Sequence, residues 1–134
     1  VRSFETPRPR SAPTSYFANS RDGHREQRDL HDITLVIAIK TACDGCRAFV
    51  ESDLEELTQL KVPFVIVSAS HDETGEWANA RHQIDIAPEL LQELEVRWPP
   101  FYVLIDVETS KVVVEGVVFG PAQVAEEIQP YLTF

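Results

Sequence analysis

The chain has two cysteines, and they stand two residues apart in Thr41-Ala42-Cys43-Asp44-Gly45-Cys46. What flanks them constrains the fold more than any other feature. Ile33-Thr34-Leu35-Val36-Ile37-Ala38-Ile39 leads in as a near-continuous apolar, largely β-branched run, the pattern of a strand buried on both faces. Beyond the pair, Cys46, Phe49, Val50, Leu54 and Leu57 recur at spacings of three and four, so Cys46 to Leu60 is expected as one amphipathic helix. A Cys-x-x-Cys between such a strand and helix, followed by more βα pattern, points to redox chemistry rather than to a structural staple. At 134 residues the chain can bury a core without disulfides, and two cysteines make no disulfide framework.

Charge is unevenly spread. The formal total is −10. Residues 1–28 carry six arginines against Glu5, Asp22 and Glu26, a balance of +3, which leaves −13 for residues 29–134. So acidic a domain lacks the basic footprint of a nucleic-acid binder and would favour basic or neutral partners. Residues 1–28, rich in Pro, Arg and Ser and without an apolar period, are expected to be a flexible arm or linker, with residues 29–134 as the domain. Phe4, Tyr16 and Phe17 are the arm's candidates for docking on that domain. No apolar run is long enough for a membrane span.

Within the domain, Val62 to Val67 reads as a second buried strand, with Pro63 at its start. Ser68 to Ala87 reads as a long loop with a short helix near Trp77. Pro88 then opens a helix running to Leu94. Phe101 to Ile105 and Val112 to Phe119 read as strands joined by the turn from Asp106 to Lys111, with Glu115-Gly116 marking an edge or a bulge. Gly120-Pro121 opens a last helix with Val124, Ile128 and Leu132 inward. The expected architecture is α/β, of order β-α-β-α-β-β-α: a four-stranded mixed sheet flanked by helices, its first two strands parallel and its last two an antiparallel hairpin.

That order, with Cys43-x-x-Cys46 after the first strand and Pro100 before the third, resembles the thioredoxin-like superfamily over residues 33–132. The run Pro100-Phe101-Tyr102-Val103-Leu104-Ile105-Asp106 is similar to the corresponding segment of the TlpA/ResA and MauD-type branch. The resemblance implies an extracytoplasmic protein thiol–disulfide oxidoreductase, with a cytoplasmic location as the alternative, carrying a redox-active disulfide and a cis-proline at Pro100. It also implies a glycine at Gly120 that permits close backbone approach, an upstream redox donor, and a membrane tether through a region preceding Val1. By the same resemblance Pro99, Pro100, Asp44 and Gly45 would meet the substrate. Departures from the family pattern are Ala42 for the usual Trp, Asp44-Gly45 between the cysteines, Ile37 in place of a buried acid, and Pro99, which lacks an N–H for pairing with a substrate chain.

The position of Cys43 just before the helix favours a thiolate and makes it the expected nucleophile, with Cys46 on the apolar stripe as the resolving thiol. Asp44 opposes the thiolate by on the order of 1 kcal/mol at roughly 7 Å and an effective dielectric of about 40, partly offset by Lys40 and Arg47. A reducing poise is the expectation. Trp98 either lines a substrate groove or covers the edge of the core. His24, His31, His71 and His82 have no metal-ligand spacing, so neither a metal nor another cofactor is expected. Two other classes compete: a non-catalytic thioredoxin-fold binding module with a structural or regulatory disulfide, and, more weakly, a peroxidase, whose Pro-x-x-x-Thr-x-x-Cys arrangement is absent.

Overall fold

The computed structural model describes residues 4–5, 11–19 and 24–132. In chain order the elements are β1 (Phe4–Glu5), β2 (Ser15–Asn19), β3 (Arg25–Asp29), β4 (Ile33–Ile39), α1 (Asp44–Glu51), α2 (Glu55–Gln59), β5 (Phe64–Ser68), β6 (Ile84–Ile86), α3 (Pro88–Glu93), β7 (Phe101–Asp106), β8 (Lys111–Val117) and α4 (Pro121–Ile128). All strands join one mixed sheet of order β1-β8-β7-β4-β5-β6-β2-β3. The sheet therefore has eight strands rather than the expected four. β4 and β5 are parallel, and β7 and β8 are an antiparallel hairpin.

β4 lies at the centre, bonded to β5 on one edge and β7 on the other. Its side chains alternate between two cores. Leu35, Ile37 and Ile39 pack with Phe49, Val50, Leu54, Leu57, Val124 and Ile128 under α1, α2 and α4. Val36 and Ala38 pack with Leu90, Leu91 and Leu94 of α3 and its C-cap and with Tyr16, Ala18 and Leu30. Two-sided burial is what its unbroken apolar sequence requires.

The single helix expected from Cys46 to Leu60 is two helices. Ser52 ends α1, its hydroxyl donating to the Phe49 carbonyl at 2.7 Å, and Leu54 takes a left-handed backbone (φ 54°) before α2 begins. That conformation costs a branched residue on the order of 1–2 kcal/mol, while full burial of a leucine contributes about 1.5–3 kcal/mol, so burial carries the break. The apolar spacing continues across the break, which is why periodicity alone merges the two helices.

The largest difference lies in residues 1–28. A flexible arm does not describe their placed part. β2 and β3 form a hairpin, and β2 meets β6 at Asn19 and Ile86. Tyr16 and Ala18 point into the second core while Phe17, half exposed, lies under the Arg25 guanidinium at 4.9 Å. β1 pairs along Glu115 and Gly116, so that part of β8 is covered rather than an open edge. The irregularity in the hairpin falls instead at Leu104/Ile105. Residues 1–3, 6–10 and 20–23 of the expected arm lie outside the described residues, as does the side chain of Phe4.

A buried polar contact fixes the hairpin. The Tyr16 hydroxyl donates to Asp85 Oδ2 at 2.9 Å, Gln83 Nε2 donates to Asp85 Oδ1 at 2.9 Å, and Arg28 Nη2 approaches the same Oδ1 at 3.3 Å. Asp85 is 5% exposed, so these donors replace the water its carboxylate has lost. Burial, and then the adjacent carboxylate, push the Tyr16 phenol above its ordinary range. A phenol whose ionisation is suppressed by folding contributes stability that is fully present below pH ~10 and is lost as pH rises further. Tyr16→Phe is therefore expected to lower the unfolding free energy by about 1.5–3 kcal/mol at neutral pH in urea titrations and to flatten the alkaline decline. Tyr102, raised by burial and by its bond to Glu127, contributes the part of that decline that remains. An unchanged denaturation midpoint in Tyr16→Phe would show that the hairpin is not anchored through this contact.

Candidate functional site

The site forms where β4 ends and α1 begins. After Ile39 the chain leaves the sheet through Lys40, Thr41 and Ala42, and Ala42 adopts a left-handed turn (φ 55°). That turn makes Cys43 the N-cap of α1. Its sulfur accepts from the Cys46 N–H at 3.2 Å, the part usually taken by a serine or aspartate oxygen, and its carbonyl accepts the first helical bond, from the Arg47 N–H at 3.1 Å. Cys43 and Cys46 are at disulfide distance. Cys46 is fully buried, packed with Phe49 and Val50 in the first core, whereas Cys43 is half-buried at the surface. The Cys46 sulfur accepts from the Lys40 N–H at 3.4 Å.

The predicted substrate-side residues separate into two groups. Gly45 lies against Pro100: a Cβ on Gly45 would stand 3.6 Å from Pro100 Cγ. Pro99–Pro100 is a cis peptide bond, and the Pro100 carbonyl accepts from the Val118 N–H at 2.9 Å. Pro99, Pro100, Asp44 and Gly45 therefore share one end of the sheet with Cys43. Trp98 leads into the prolines with a left-handed backbone (φ 52°) and is 70% exposed, so it does not cover the core. Gly120 has an extended backbone, and no atom lies within 4 Å of where its Cβ would be, so no close approach inside the chain requires a glycine there.

Three features of the site had no sequence signal. Phe119, read as the end of a strand, is 76% exposed on the segment that follows the Val118–Pro100 bond. Ile84–Ile86, read as loop, forms β6. The polar stretch before it is ordered by side chains: Asp72 accepts from the N–H groups of Glu76 (2.7 Å) and Trp77 (2.9 Å), and Trp77 is buried. Glu76 then reaches the site, both carboxylate oxygens accepting from the Ala42 N–H at 3.0 and 2.9 Å. The same connection closes the other end of α1, where the Arg81 N–H donates to the Val50 carbonyl at 2.9 Å.

Arg47 faces mainly Glu51, at 3.0 Å, and that contact raises its basicity more than Glu76 or Asp44 does. Its charge is thus shared between Glu51 and the carboxylates beside Cys43. Among the described residues no cluster of three or more His, Cys, Asp or Glu could hold a metal ion, and no helix is long and apolar enough to cross a membrane.

No protein-family model and no curated protein matches the sequence. Solved structures do match the fold. The thioredoxin domain of a thiol-disulfide oxidoreductase from Bacteroides vulgatus superposes with a TM-score of 0.64 at 17% identity, over 92% of this chain and 96% of that one. A thiol:disulfide interchange protein of the thioredoxin family from Chlorobium tepidum gives 0.61 at 18%, over 96% and 100%. The dsbF protein of MTB, in mixed oxidised and reduced forms, gives 0.65 at 15%, over 92% and 100%. The fold is thioredoxin-like. At these identities the likeness concerns the backbone alone.

Gly45 offers a direct test of the packing at this site. It is the second residue of α1, and its backbone does not need a glycine. Its added Cβ would make an ordinary contact with Pro100. Gly45→Ala is expected to fold and to gain about 0.5–1 kcal/mol in urea unfolding of the oxidised protein. A loss of stability of that size would mean that Pro100 sits closer to α1 than described.

Proposed function

We propose that the protein is a thiol–disulfide oxidoreductase of the extracytoplasmic TlpA/ResA type, acting on protein disulfides through Cys43 and Cys46. One observation carries this reading: a half-exposed N-cap cysteine and a buried cysteine one turn into α1, each with its sulfur accepting a backbone N–H. Such donors and the positive end of a helix stabilise a thiolate, which an inert pair would not need. The reducing half-reaction follows. The Cys43 thiolate attacks one sulfur of a substrate disulfide, forming a mixed disulfide and expelling the other substrate sulfur as a thiolate, which takes a proton from solvent. Cys46 loses its proton and attacks the Cys43 sulfur. This releases the second substrate thiol and leaves the Cys43–Cys46 disulfide. Two electrons pass to the substrate, and an upstream dithiol donor must return them.

The substrate chain would lie along Asp44-Gly45 and Pro99-Pro100, between the exposed rings of Trp98 and Phe119. Pro99 has no N–H to donate to it, so one backbone bond of a paired strand is missing and aromatic contact takes a larger share of the binding. The acidic domain favours substrates with a neutral or basic segment beside the cysteine.

Cys43→Ser is expected to reduce dithiol-driven disulfide reduction to background, and Cys46→Ser to accumulate a covalent mixed disulfide visible on non-reducing gels. Retention of exchange by both variants would remove the oxidoreductase reading and leave a binding module with a structural disulfide. Trp98→Ala and Phe119→Ala are each expected to raise KM about 2- to 10-fold with little change in kcat, the size of one aromatic contact. Unaltered KM in both would move the substrate path elsewhere.

A further inference from the structure

The connection between β5 and β6 does more than link two strands. Trp77 anchors it in the first core, Asp72 caps its turn, and the Glu76 carboxylate is thereby delivered to the backbone immediately before Cys43. Ala42 is the residue that needs such a restraint. It is a non-glycine residue in the left-handed region, and its turn is what makes Cys43 the cap of α1.

We propose that Glu76 is a positioning residue for Cys43: its carboxylate holds the Ala42 turn in place, and its negative charge opposes formation of the Cys43 thiolate. The proposal rests on the reading of Cys43 as the exposed nucleophile. Two roles follow from one contact. A carboxylate accepting from the Ala42 N–H stabilises the turn as any acceptor would, but its charge also lies one residue from the reacting sulfur. The other charged groups on the segments that carry the site are Asp44, Arg47 and Glu51 on α1 and Lys40 after β4. Arg47 pairs with Glu51 and faces Glu76 and Asp44 more weakly, so the three carboxylates Asp44, Glu51 and Glu76 outnumber the two cations Arg47 and Lys40 and leave a net negative surround. The site thus holds Cys43 firmly while keeping it in the thiol form more than a bare helix N-terminus would.

Neutral and truncated variants separate the two roles. In the reduced full chain, Glu76→Gln keeps an oxygen acceptor for the Ala42 N–H and removes the charge. The Cys43 thiolate fraction at neutral pH, followed by ultraviolet absorbance across a pH titration and by alkylation located to Cys43, is expected to rise about 3- to 10-fold. Hydrogen exchange at the Ala42 amide should stay close to wild type. Glu76→Ala should raise the thiolate fraction similarly and also speed that exchange at least about tenfold, roughly the loss of one hydrogen bond. A merely structural role would move the exchange and leave the Glu76→Gln titration unchanged, and that result would overturn the electrostatic half. Wild-type exchange rates in Glu76→Ala would overturn the positioning half. A salt series on the wild type gives a check that needs no variant. Raising ionic strength from about 0.01 M to about 1 M shortens the screening length from roughly 30 to 3 Å and should increase the thiolate fraction; a decrease would show that the surround is net positive. Reversible exchange of the wild-type pair with glutathione, measured on the same samples, tests the oxidoreductase reading separately: that reading can fail while the Cys43 titration still decides for or against Glu76.

Discussion

Two-sided burial of β4 is the constraint on which the other elements depend. The strand is bonded along both edges and buried on both faces. Each face therefore needs its own cover, and the chain provides α1, α2 and α4 for one and α3 with the β2–β3 hairpin for the other. The site is a consequence of where this strand stops. After Ile39 three residues reach the surface, and α1 must turn back at once to cover Leu35, Ile37 and Ile39. The cysteine pair sits at that reversal, one sulfur at the rim and one within the cover. The same burial accounts for Ile37. It shares the apolar cluster of Cys46, where a carboxylate would lose its water and find no ion partner among the residues of that cluster.

How much of this the sequence discloses depends on whether the burial of an element is two-sided, one-sided or marginal. Ile33–Ile39 and the run from Phe101 to Ile105 are legible because their apolar, largely β-branched and aromatic residues agree with the buried environment. Pro88 and Pro121 mark the first turns of α3 and α4 because a proline fits where an N–H has no helical partner. β3 is not legible: Arg-Glu-Gln-Arg-Asp is almost wholly exposed and is a strand only because β2 pairs with it. In β2 the inward positions are Tyr16 and Ala18 alone, too few to stand out from their Ser- and Pro-rich surroundings. The cysteines, the prolines and Gly45 come together as their spacing implies. Glu76 does not reveal itself, since its approach to Ala42 depends on a loop whose shape is set by Asp72 and Trp77.

The docked hairpin also ties one of its charges into the domain. Arg28 of β3 bridges its neighbour Glu26 at 2.6 Å and the buried Asp85 at 3.3 Å. Only the second contact can matter much for stability, since an exposed pair is worth about 0–1 kcal/mol and is screened by salt. The charges of β3 have another use. Its outer edge ends the sheet, and a strand of alternating arginine and acid is a poor template for pairing with another chain.

At the cysteines the opposing terms are of similar size, and this decides how the site should be understood. The N-terminus of α1 favours an anion at Cys43 by about 0.3–1 kcal/mol at a surface, and more where it is partly buried. The Cys46 N–H adds a hydrogen bond to the charged form. Against these stand Asp44 and Glu76, each on the order of 1 kcal/mol at roughly 7 Å and an effective dielectric of about 40. Neither side dominates. The helix terminus alone would make the thiol modestly more acidic, and the two carboxylates alone less so. Since Arg47 is turned towards Glu51, the balance rests on Glu76, the one of these charges whose place is fixed by the packing of a different part of the chain. The chemistry of the motif is thus coupled to the β5–β6 connection through a single carboxylate, and the burial of Trp77 holds that carboxylate at the site.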